Sequence, residues 1–403
     1  MTPIDLIFTC DALKPPLTGI GYYAAHLLEE LLAMDEIGAV TGLGLSGFIP
    51  PQVLAGQVES LLSDTEDPVR KPRNDGRQRA LAFARKVLDR MPAAAMALRG
   101  LRLHYGSQLL RAHRNSLLHA PNYIAPNHDG PTVITVHDLS HIRHPETHPA
   151  QRIQWLDRHL PRAVERAQQI ICVSDFTRQE MLDLGLVRDA SKLSVCHNGC
   201  DPGFHPRAHT ELAATLARWQ LQPGQYILSV ATLEPRKNLE QLLAAYQALP
   251  GDLAGRFPLV LSGSPGWKHQ QLTDRISKIK LPHRVVVTGY QARECLQQLM
   301  AGAGLFAYLS IYEGFGLPVI EAMASGVPVL TANSSALREV TGDCGYTVDP
   351  ENVDVINETM AGLLQDHDLA ATLRHKGLQR AAAFTWSHCA RQTVDVYGKA
   401  LGA

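Results

Sequence analysis

Two carboxylates frame a short, glycine-containing stretch of the chain. Glu313 and Glu321 stand eight residues apart, with Gly314, Gly316 and Pro318 between them. An apolar run just before the stretch predicts a buried strand, and Pro318 suits the start of a helix, where its missing N–H costs nothing. Ligands of parallel α/β sheets bind outside the carboxyl ends of strands, and helix starts attract phosphate. The spacing therefore predicts two acids on different parts of one elongated, phosphate-bearing ligand, such as a nucleotide sugar.

Two cations follow another predicted strand, Tyr226–Val230. Arg236 and Lys237 lie in the sequence EPRKN, which begins four residues after the end of that strand. An arginine binds a diphosphate through two parallel hydrogen bonds, and a lysine binds it as a point charge. Either residue alone is most simply explained as an exposed surface cation. Their position at a strand end makes them candidates for neutralising a diphosphate leaving group, whereas we expect Glu234 to pair locally.

Short apolar runs alternate with longer amphipathic stretches along the chain, which is typical of parallel sheets covered by helices. A chain of 403 residues accommodates two such domains. The stretch His197–His209 is rich in glycine and proline and predicts a linker between them. The predicted strands are Asp5–Phe8, Ala39–Leu45, Ser116–His119, Thr132–Val136, Gln169–Val173, Lys192–Cys196, Tyr226–Val230, Leu259–Ser262, Val285–Thr288, Leu305–Tyr308 and Pro328–Thr331.

The composition argues against several classes of protein. A formal net charge of −1 does not fit a surface devoted to nucleic acid. Seven scattered cysteines without a CxxC pair suit a reducing compartment better than a disulfide framework or a zinc site. The N-terminus lacks the features of a signal peptide, and no apolar run approaches the roughly 18 residues that span a bilayer. We expect an intracellular soluble protein.

Some motifs resemble sites without the context that a site needs. Four histidines have near-helical spacing, namely His137, His141, His144 and His148. Pro145 and Pro149 interrupt any helix there, so we expect no metal at these histidines. Asp366–Asp368 reads DHD and is predicted to cap a helix. Gly42–Gly47 matches G-x-G-x-x-G, but FIPP follows it instead of a helix opening, which makes it a chance match.

A strongly basic segment runs from Arg70 to Arg114. It holds twelve basic and two acidic residues, a formal charge of +10, so the rest of the chain carries −11. Interleaved apolar residues such as Leu81, Phe83 and Val87 predict a basic amphipathic helix. Binding to an anionic membrane surface and a solvated cationic face are both open explanations. Nucleic acid is disfavoured because no recognition motif accompanies the charge.

The sequence EGFGLPVIE resembles the E-x7-E motif of retaining glycosyltransferases with the GT-B fold, glycosyltransferase family 4. Further resemblances follow in order along nearly the whole chain: TGIGYY, TVHDL, VSDFTR, HNG, LEPRKN and SGSPGW, with FTWSHCARQTVDVY resembling the terminal helix. The sequences of these motifs are most similar to those of bacterial mannosyltransferases of O-antigen and exopolysaccharide assembly. Pro50–Arg114 is the least matched part.

The resemblance implies an α/β protein of two doubly wound, Rossmann-like domains that face a cleft. Residues 1–202 would form the acceptor-binding domain, residues 203–384 the nucleotide-sugar-binding domain, and residues 385–403 a helix that packs back on the first domain. The implied activity is the metal-independent transfer of a hexose, with retention, to a glycan or polyprenyl-linked glycan. GDP-mannose is the expected donor, with GDP-rhamnose, UDP-hexose and dTDP-rhamnose left open. No cofactor is expected beside this donor, and we expect a cytoplasmic enzyme, peripheral on the membrane if the basic segment binds lipid.

The resemblance also assigns site residues. The first glutamate would contact sugar hydroxyls, the second would bind the ribose, and a histidine would lie near the sugar. The implied catalytic residues are His137, Glu313, Arg236 and Lys237. The implied donor-binding residues are Gly19, Gly21, Gly314, Phe315, Gly316, Leu317 and Glu321. A nucleotide-sugar epimerase or phosphorylase of the same architecture, and a non-catalytic carbohydrate-binding subunit, are the alternatives.

Overall fold

The computed structural model describes residues 3–63, 92–266 and 269–402. The chain divides into two compact units. The first contains Met1–Val173, Thr177–Cys196 and Ser387–Ala403, and the second contains Ser174–Phe176 and His197–Trp386. Each is built on one largely or wholly parallel sheet covered by helices, which confirms the predicted fold class.

The sheet of the first unit has seven strands in the order β3-β2-β1-β4-β5-β6-β7. All neighbours are parallel except β2 and β3, which form an antiparallel hairpin. Strand β5 has the sequence TVITV and is buried at every position, because a parallel sheet covered on both faces favours continuous β-branched residues. The strands are β1 Ile4–Thr9, β2 Ile37–Gly44, β3 Gly47–Ile49, β4 Leu117–Ala120, β5 Thr132–Val136, β6 Gln169–Cys172 and β7 Leu193–Val195.

Helices accompany this sheet along the chain. They are α1 Gly19–Leu32, α2 Pro51–Leu62, α3 Pro92–Leu110, α4 Ser140–Arg143, α5 Ala150–Arg166 and α6 Asp175–Asp183. The C-terminal helix, α16 Trp386–Leu401, belongs to the first unit from Ser387 onwards. Its Tyr397 hydroxyl lies 2.7 Å from Nδ1 of His119 on β4, and Lys399 donates to Ser194 on β7 at 3.1 Å. These contacts confirm that the terminal helix packs on the N-terminal unit.

The sheet of the second unit has six strands, all parallel, in the order β10-β9-β8-β11-β12-β13. The strands are β8 Ile227–Val230, β9 Leu259–Ser262, β10 Val285–Gly289, β11 Leu305–Tyr308, β12 Val329–Ala332 and β13 Tyr346–Val348. The helices are α7 His209–Ala217, α8 Leu239–Gln247, α9 Gly251–Arg256, α10 Gln270–Ile276, α11 Arg293–Ala301, α12 Leu317–Ala324, α13 Ser335–Thr341, α14 Val353–Gln365 and α15 His367–Ala381.

Two short strands of three residues each, β3 and β13, are not among the predicted strands. The glycine stretch Gly42–Gly47 lies in the β2–β3 hairpin, where Gly44 pairs with Gly47. Gly47 has a φ of 127°, a conformation that glycine adopts without steric cost. Helix α2 begins at Pro51, the last residue of FIPP, so the expectation that FIPP opens no helix is wrong. Strand β3 nevertheless separates the glycines from this helix, and the stretch lacks the direct glycine-to-helix connection of a dinucleotide site.

The histidine run is broken as predicted. A 3-10 turn, Pro145–Thr147, separates α4 from α5, and His148 lies 2.8 Å from the Ser140 hydroxyl through Nε2. Over the described ranges, no group of three or more His, Cys, Asp or Glu residues has the geometry to hold a metal ion. Asp366 caps α15 by accepting from Leu369 N–H at 2.9 Å, which confirms the helix-cap interpretation of DHD.

The basic segment Arg70–Arg114 is described only in part. Residues 64–91, with the apolar positions Leu81, Phe83 and Val87, lie outside the described residues. Its described part forms α3 and the turn after it. None of the helices in the described part of the chain combines the length and apolarity of a bilayer-spanning segment.

Candidate active site

The order of strands in the second unit positions its charged loops. The order reverses between β8 and β11, which are neighbours in the sheet although their sequences are far apart. Open α/β sheets bind ligands in the crevice outside the carboxyl ends of two such strands. The 3-10 turn Pro235–Lys237 follows β8, and the loop Ser310–Gly316 follows β11. Two predicted loops therefore flank one crevice.

Three of the predicted site residues meet there. Lys237 Nζ donates to Glu313 Oε1 at 2.5 Å, and Arg236 Nη1 donates to Glu313 Oε2 at 3.1 Å. The Tyr308 hydroxyl also donates to Oε1, at 2.9 Å. The side chains of Arg236, Lys237 and Glu313 are each only 11–12% exposed. One carboxylate therefore holds two cations in a largely desolvated cluster, which we call the Glu313 cluster: Arg236, Lys237, Tyr308 and Glu313.

Backbone groups fix the two loops to each other. The carbonyl of Arg236 accepts from the backbone N–H of Ile311 and from the hydroxyl of Ser310, both at 3.0 Å. Arg236 Nη1 donates to the carbonyl of Tyr312 at 2.6 Å. Its Nη2 donates to Glu234 at 3.1 Å, the local pairing expected from the sequence. The arginine is thus oriented from both loops, which leaves little freedom for its charge to move.

Electrostatics keep Glu313 ionised. Burial favours its neutral form, but Arg236 and Lys237 outweigh burial and lower the pKa of Glu313 from 4.5 to about 2. Burial and the neighbouring Arg236 lower the pKa of Lys237, and Glu313 opposes that shift. Lys237 donates two of its three N–H groups to Glu313 and Tyr308. A phosphate oxygen is a suitable acceptor for the third.

The turn after Glu313 depends on a glycine. Gly316 precedes α12 with a φ of 110°, and a Cβ there would lie 2.7 Å from Cδ2 of Leu337. Leu317 opens the helix and Pro318 follows it, so the predicted proline start is correct to within one residue. Val319 N–H already donates to the Gly316 carbonyl at 2.9 Å. The helix start therefore offers a phosphate fewer N–H groups than the sequence indicated.

Two other residues of this turn make contacts with residues elsewhere in the second unit. The Gly314 carbonyl accepts from the Ser174 hydroxyl at 2.7 Å. Phe315 is buried, with its ring centroid 5.7 Å from that of Phe384. Both contacts fix the backbone between Glu313 and α12. Gly314 and Phe315 therefore hold the shape of the turn, and whether their backbone also meets a donor stays a prediction.

Glu321 lies in a different environment from the Glu313 cluster. It is buried on α12, and Arg293 donates to its Oε1 at 3.0 Å. Arg293 also donates to Asp201 at 2.8 Å and lies over the ring of Phe204 at 4.5 Å. Burial raises the pKa of Glu321, and Arg293 opposes this shift. The two glutamates therefore have different partners and different charge environments.

His137 and the glycines of TGIGYY belong to the first unit. His137 is buried, and its Nε2 donates to the Pro121 carbonyl at 2.7 Å, so the opposite nitrogen, Nδ1, is the acceptor. Burial lowers the pKa of His137 to about 4, which keeps the ring neutral near pH 7. Gly19 and Gly21 lie in the first turn of α1. A Cβ on Gly21 would lie 3.1 Å from the Ala12 carbonyl oxygen, so this glycine allows the close approach of two backbone segments.

Comparison with known proteins identifies the family. A family model described as glycosyl transferases group 1 matches residues 218–380, and one described as glycosyltransferase family 4 matches residues 49–204. The O-antigen chain mannosyltransferase B of Escherichia coli is 36% identical to the chain over 394 residues, which cover 98% of this chain and 99% of that protein. The chain belongs to glycosyltransferase family 4.

Other relatives are more distant. The MMP alpha-(1->4)-mannosyltransferase of Mycolicibacterium hassiacum is 33% identical over 180 residues, 43% of each chain. Among solved structures, WaaG, a glycosyltransferase involved in lipopolysaccharide biosynthesis, has a TM-score of 0.70 at 16% identity and covers 97% of this chain and 99% of its own. Anabaena Alr3699/HepE in complex with UDP-glucose has a TM-score of 0.70 at 19% identity, and the match covers 98% of this chain and 99% of that one. These likenesses confirm the GT-B fold.

Two residues of this family 4 glycosyltransferase were not singled out from the sequence. Tyr308 is the last residue of the apolar strand β11, and no periodicity reveals that its hydroxyl contacts Glu313 and Lys237. Arg293 opens α11 after β10, so its position past a strand end was the signal that could have found it. The contacts of Tyr308 with Lys237 and of Arg293 with Glu321 join residues that are far apart in the sequence, so no local pattern indicates them.

Proposed function

We propose that this glycosyltransferase moves mannose from GDP-mannose to a growing, lipid-linked bacterial surface glycan. The proposal includes retention of the anomeric configuration and a reaction without a metal ion. The observation that carries it is the Glu313 cluster at the switch point of the second unit, where two buried cations and a carboxylate lie together. The 36% identity with an O-antigen mannosyltransferase supports the sugar and the acceptor class.

The cations suit the leaving group. Transfer breaks the bond between C1 of the sugar and the diphosphate oxygen, and negative charge develops on the departing phosphate. Arg236 and Lys237 are oriented before a donor arrives, so they stabilise that charge without reorganisation. Glu313 keeps both cations in place and contacts the sugar hydroxyls. In this proposal the two cations take the place of a metal ion at the diphosphate.

The remaining assignments follow the chemistry of each side chain. His137 is neutral and has an acceptor at Nδ1, which suits a sugar hydroxyl. Glu321, oriented by Arg293, suits the ribose hydroxyls of the nucleotide. The acceptor oxygen attacks C1 on the face that the diphosphate leaves, and its proton passes to the departing phosphate oxygen. No protein nucleophile takes part in this proposed route.

Purified protein tests this function directly. We expect release of GDP from GDP-mannose only when a lipid-linked or synthetic glycan acceptor is present, and a product with the α-configuration of the donor by NMR. An epimerase would convert the nucleotide sugar without an acceptor, and a binding subunit would bind without turnover. Acceptor-dependent release of UDP from UDP-glucose at a higher rate would overturn the proposed donor.

A further inference from the structure

The first unit has a cavity of about 900 Å³ at the switch point of its own sheet. The strand order reverses between β1 and β4, and the residues that follow both strands line the cavity. Asp11 and Lys14 come after β1, and Asn122 and Tyr123 come after β4. The rule that places ligands at such crevices applies to this sheet as it does to the other. The volume is in the range of small-molecule sites.

The cavity is lined by four cationic side chains from three parts of the unit. Lys14 lies in the loop after β1, Arg99 and Arg102 lie on α3, and Arg152 lies on α5. Asp11 is the one carboxylate among the described lining residues. No carboxylate in the described part of the chain forms an ion pair with Arg99, Arg102 or Arg152. The cavity is therefore positively charged and fits an anion, for which arginine is the preferred phosphate ligand.

Aromatic side chains lie beside these charges. Trp155 lines the cavity, and the guanidinium of Arg99 lies 5.9 Å from the centroid of its ring. Tyr105 and Tyr123 line it as well. Ligand sites commonly combine such apolar faces with a few polar groups that fix orientation. The lining suits a ligand that presents both the flat face of a sugar ring and a charged group.

The cavity reaches the surroundings of His137. Tyr123, which lines it, packs edge-on against His137 with ring centroids 5.8 Å apart. Ile20, from the TGIGYY motif, is also a lining residue. Burial is the largest cause of the lowered pKa of His137, and the positive charge of Arg152 lowers this pKa further. Arg152 therefore lies within electrostatic range of the histidine. A ligand bound in the cavity would lie next to a residue proposed to contact the sugar.

We propose that this cavity binds the acceptor by a phosphate group attached to its sugar, with the sugar ring against Trp155. This inference rests on the proposed function, because it names the chemistry of the acceptor: a glycosyl phosphate or diphosphate. Arg99 and Arg102 belong to the basic segment Arg70–Arg114, so at least these two charges have a role apart from attraction to a membrane surface. The ligand class follows from the charge and the aromatic lining of the cavity.

Binding measurements that need no turnover test the proposal. Isothermal titration in saturating GDP, which occupies the donor site, compares mannose 1-phosphate with the uncharged methyl α-mannoside. We expect binding of mannose 1-phosphate that weakens with salt, and no heat from the methyl glycoside at the same concentrations. The variant Arg152→Gln and the double variant Arg99→Gln/Arg102→Gln should each bind at least tenfold more weakly, a change of about 1.4 kcal/mol.

A matched control is available on the same helix. Arg158 lies on α5, is exposed and does not line the cavity, so Arg158→Gln removes an equal charge and should leave binding unchanged. Thermal unfolding of all variants verifies that they fold. Because the altered arginines are exposed, we expect unfolding midpoints close to that of the wild type.

A second arm distinguishes a lipid headgroup from a free sugar phosphate. It measures retention of the protein on phosphatidylcholine vesicles with and without undecaprenyl diphosphate. Selective retention that the arginine variants lose supports a lipid-linked phosphate, and binding of mannose 1-phosphate alone supports a soluble one. Equal binding of both probes by wild type, Arg152→Gln and Arg99→Gln/Arg102→Gln would overturn the proposal. A protein that binds the phosphate but never turns over GDP-mannose would overturn only the proposed function.

Discussion

Replacing Glu313 with glutamine separates the role of its charge from the role of its shape. Glutamine keeps the size of the side chain but removes the carboxylate that Arg236 and Lys237 hold. The pKa of Glu313 falls from 4.5 to about 2 in the folded protein, and a difference of this size corresponds to about 3 kcal/mol in favour of the ionised form. The side chain of Glu313 is only 11% exposed, so solvent screens little of its attraction to the two cations.

Two effects follow from that loss. Turnover should fall on the order of 10²–10³-fold, because the cations lose the group that orients them and the sugar loses a contact. The free energy of unfolding should fall by up to about 3 kcal/mol, since two buried cations lose their shared partner. Affinity for GDP should remain near that of the wild type or increase, because the diphosphate then becomes the anion that pairs with both cations.

Initial rates, isothermal titration with GDP and thermal unfolding with and without GDP measure these effects together. Glu234→Gln is the matched control, because Glu234 contacts Arg236 alone within the Glu313 cluster and is more exposed, at 22%. Its effects on rate and stability should be smaller. A Glu313→Gln variant with normal turnover would refute the catalytic assignment. Loss of GDP binding in parallel with turnover would show that the glutamate serves the nucleotide instead of the transferred sugar.

Four further predictions concern binding, metal, membrane and pH. Glu321→Ala should weaken binding of GDP-mannose and of GDP alike and appear mainly in KM; unchanged affinity for GDP by titration would contradict the ribose assignment. Activity should survive excess EDTA in the transfer assay, and complete loss restored by a divalent ion would show that the reaction needs a metal. Flotation of the protein with anionic vesicles should fall as the salt concentration rises, since each basic side chain contributes about 1 kcal/mol near such a surface and salt screens it. Flotation should be lost in a variant with glutamate at Arg77, Arg79, Arg85, Lys86 and Arg90. Equal flotation of this variant and the wild type would show that these residues form a solvated face. The pKa of Glu313 is lower in the folded protein, so its contribution to stability is present above pH 4.5 and is lost as the pH falls towards about 2. The free energy of unfolding of Glu313→Gln should therefore decline less steeply than that of the wild type over this range. Parallel declines in the two proteins would contradict the lowered pKa of Glu313.

The sequence by itself determined the fold class and the loops that carry charge. Period and length of the apolar runs predict buried parallel strands, and polar residues placed just after such runs come to the binding edge of a sheet. Arg236, Lys237 and Glu313 are predicted from this position together with the family resemblance, and the structure brings all three together. These features can be predicted from the sequence because each depends on residues that are close along the chain.

Tertiary structure alone decided which of these groups touch. No local pattern states that β8 and β11 are neighbours, because the order of parallel strands is set by crossover connections over many residues. For the same reason no local pattern indicates the contact of Lys237 with Tyr308 or the pairing of Glu321 with Arg293. The positive cavity of the first unit likewise gathers cations from a loop and two helices that only the folded sheet brings to one crevice.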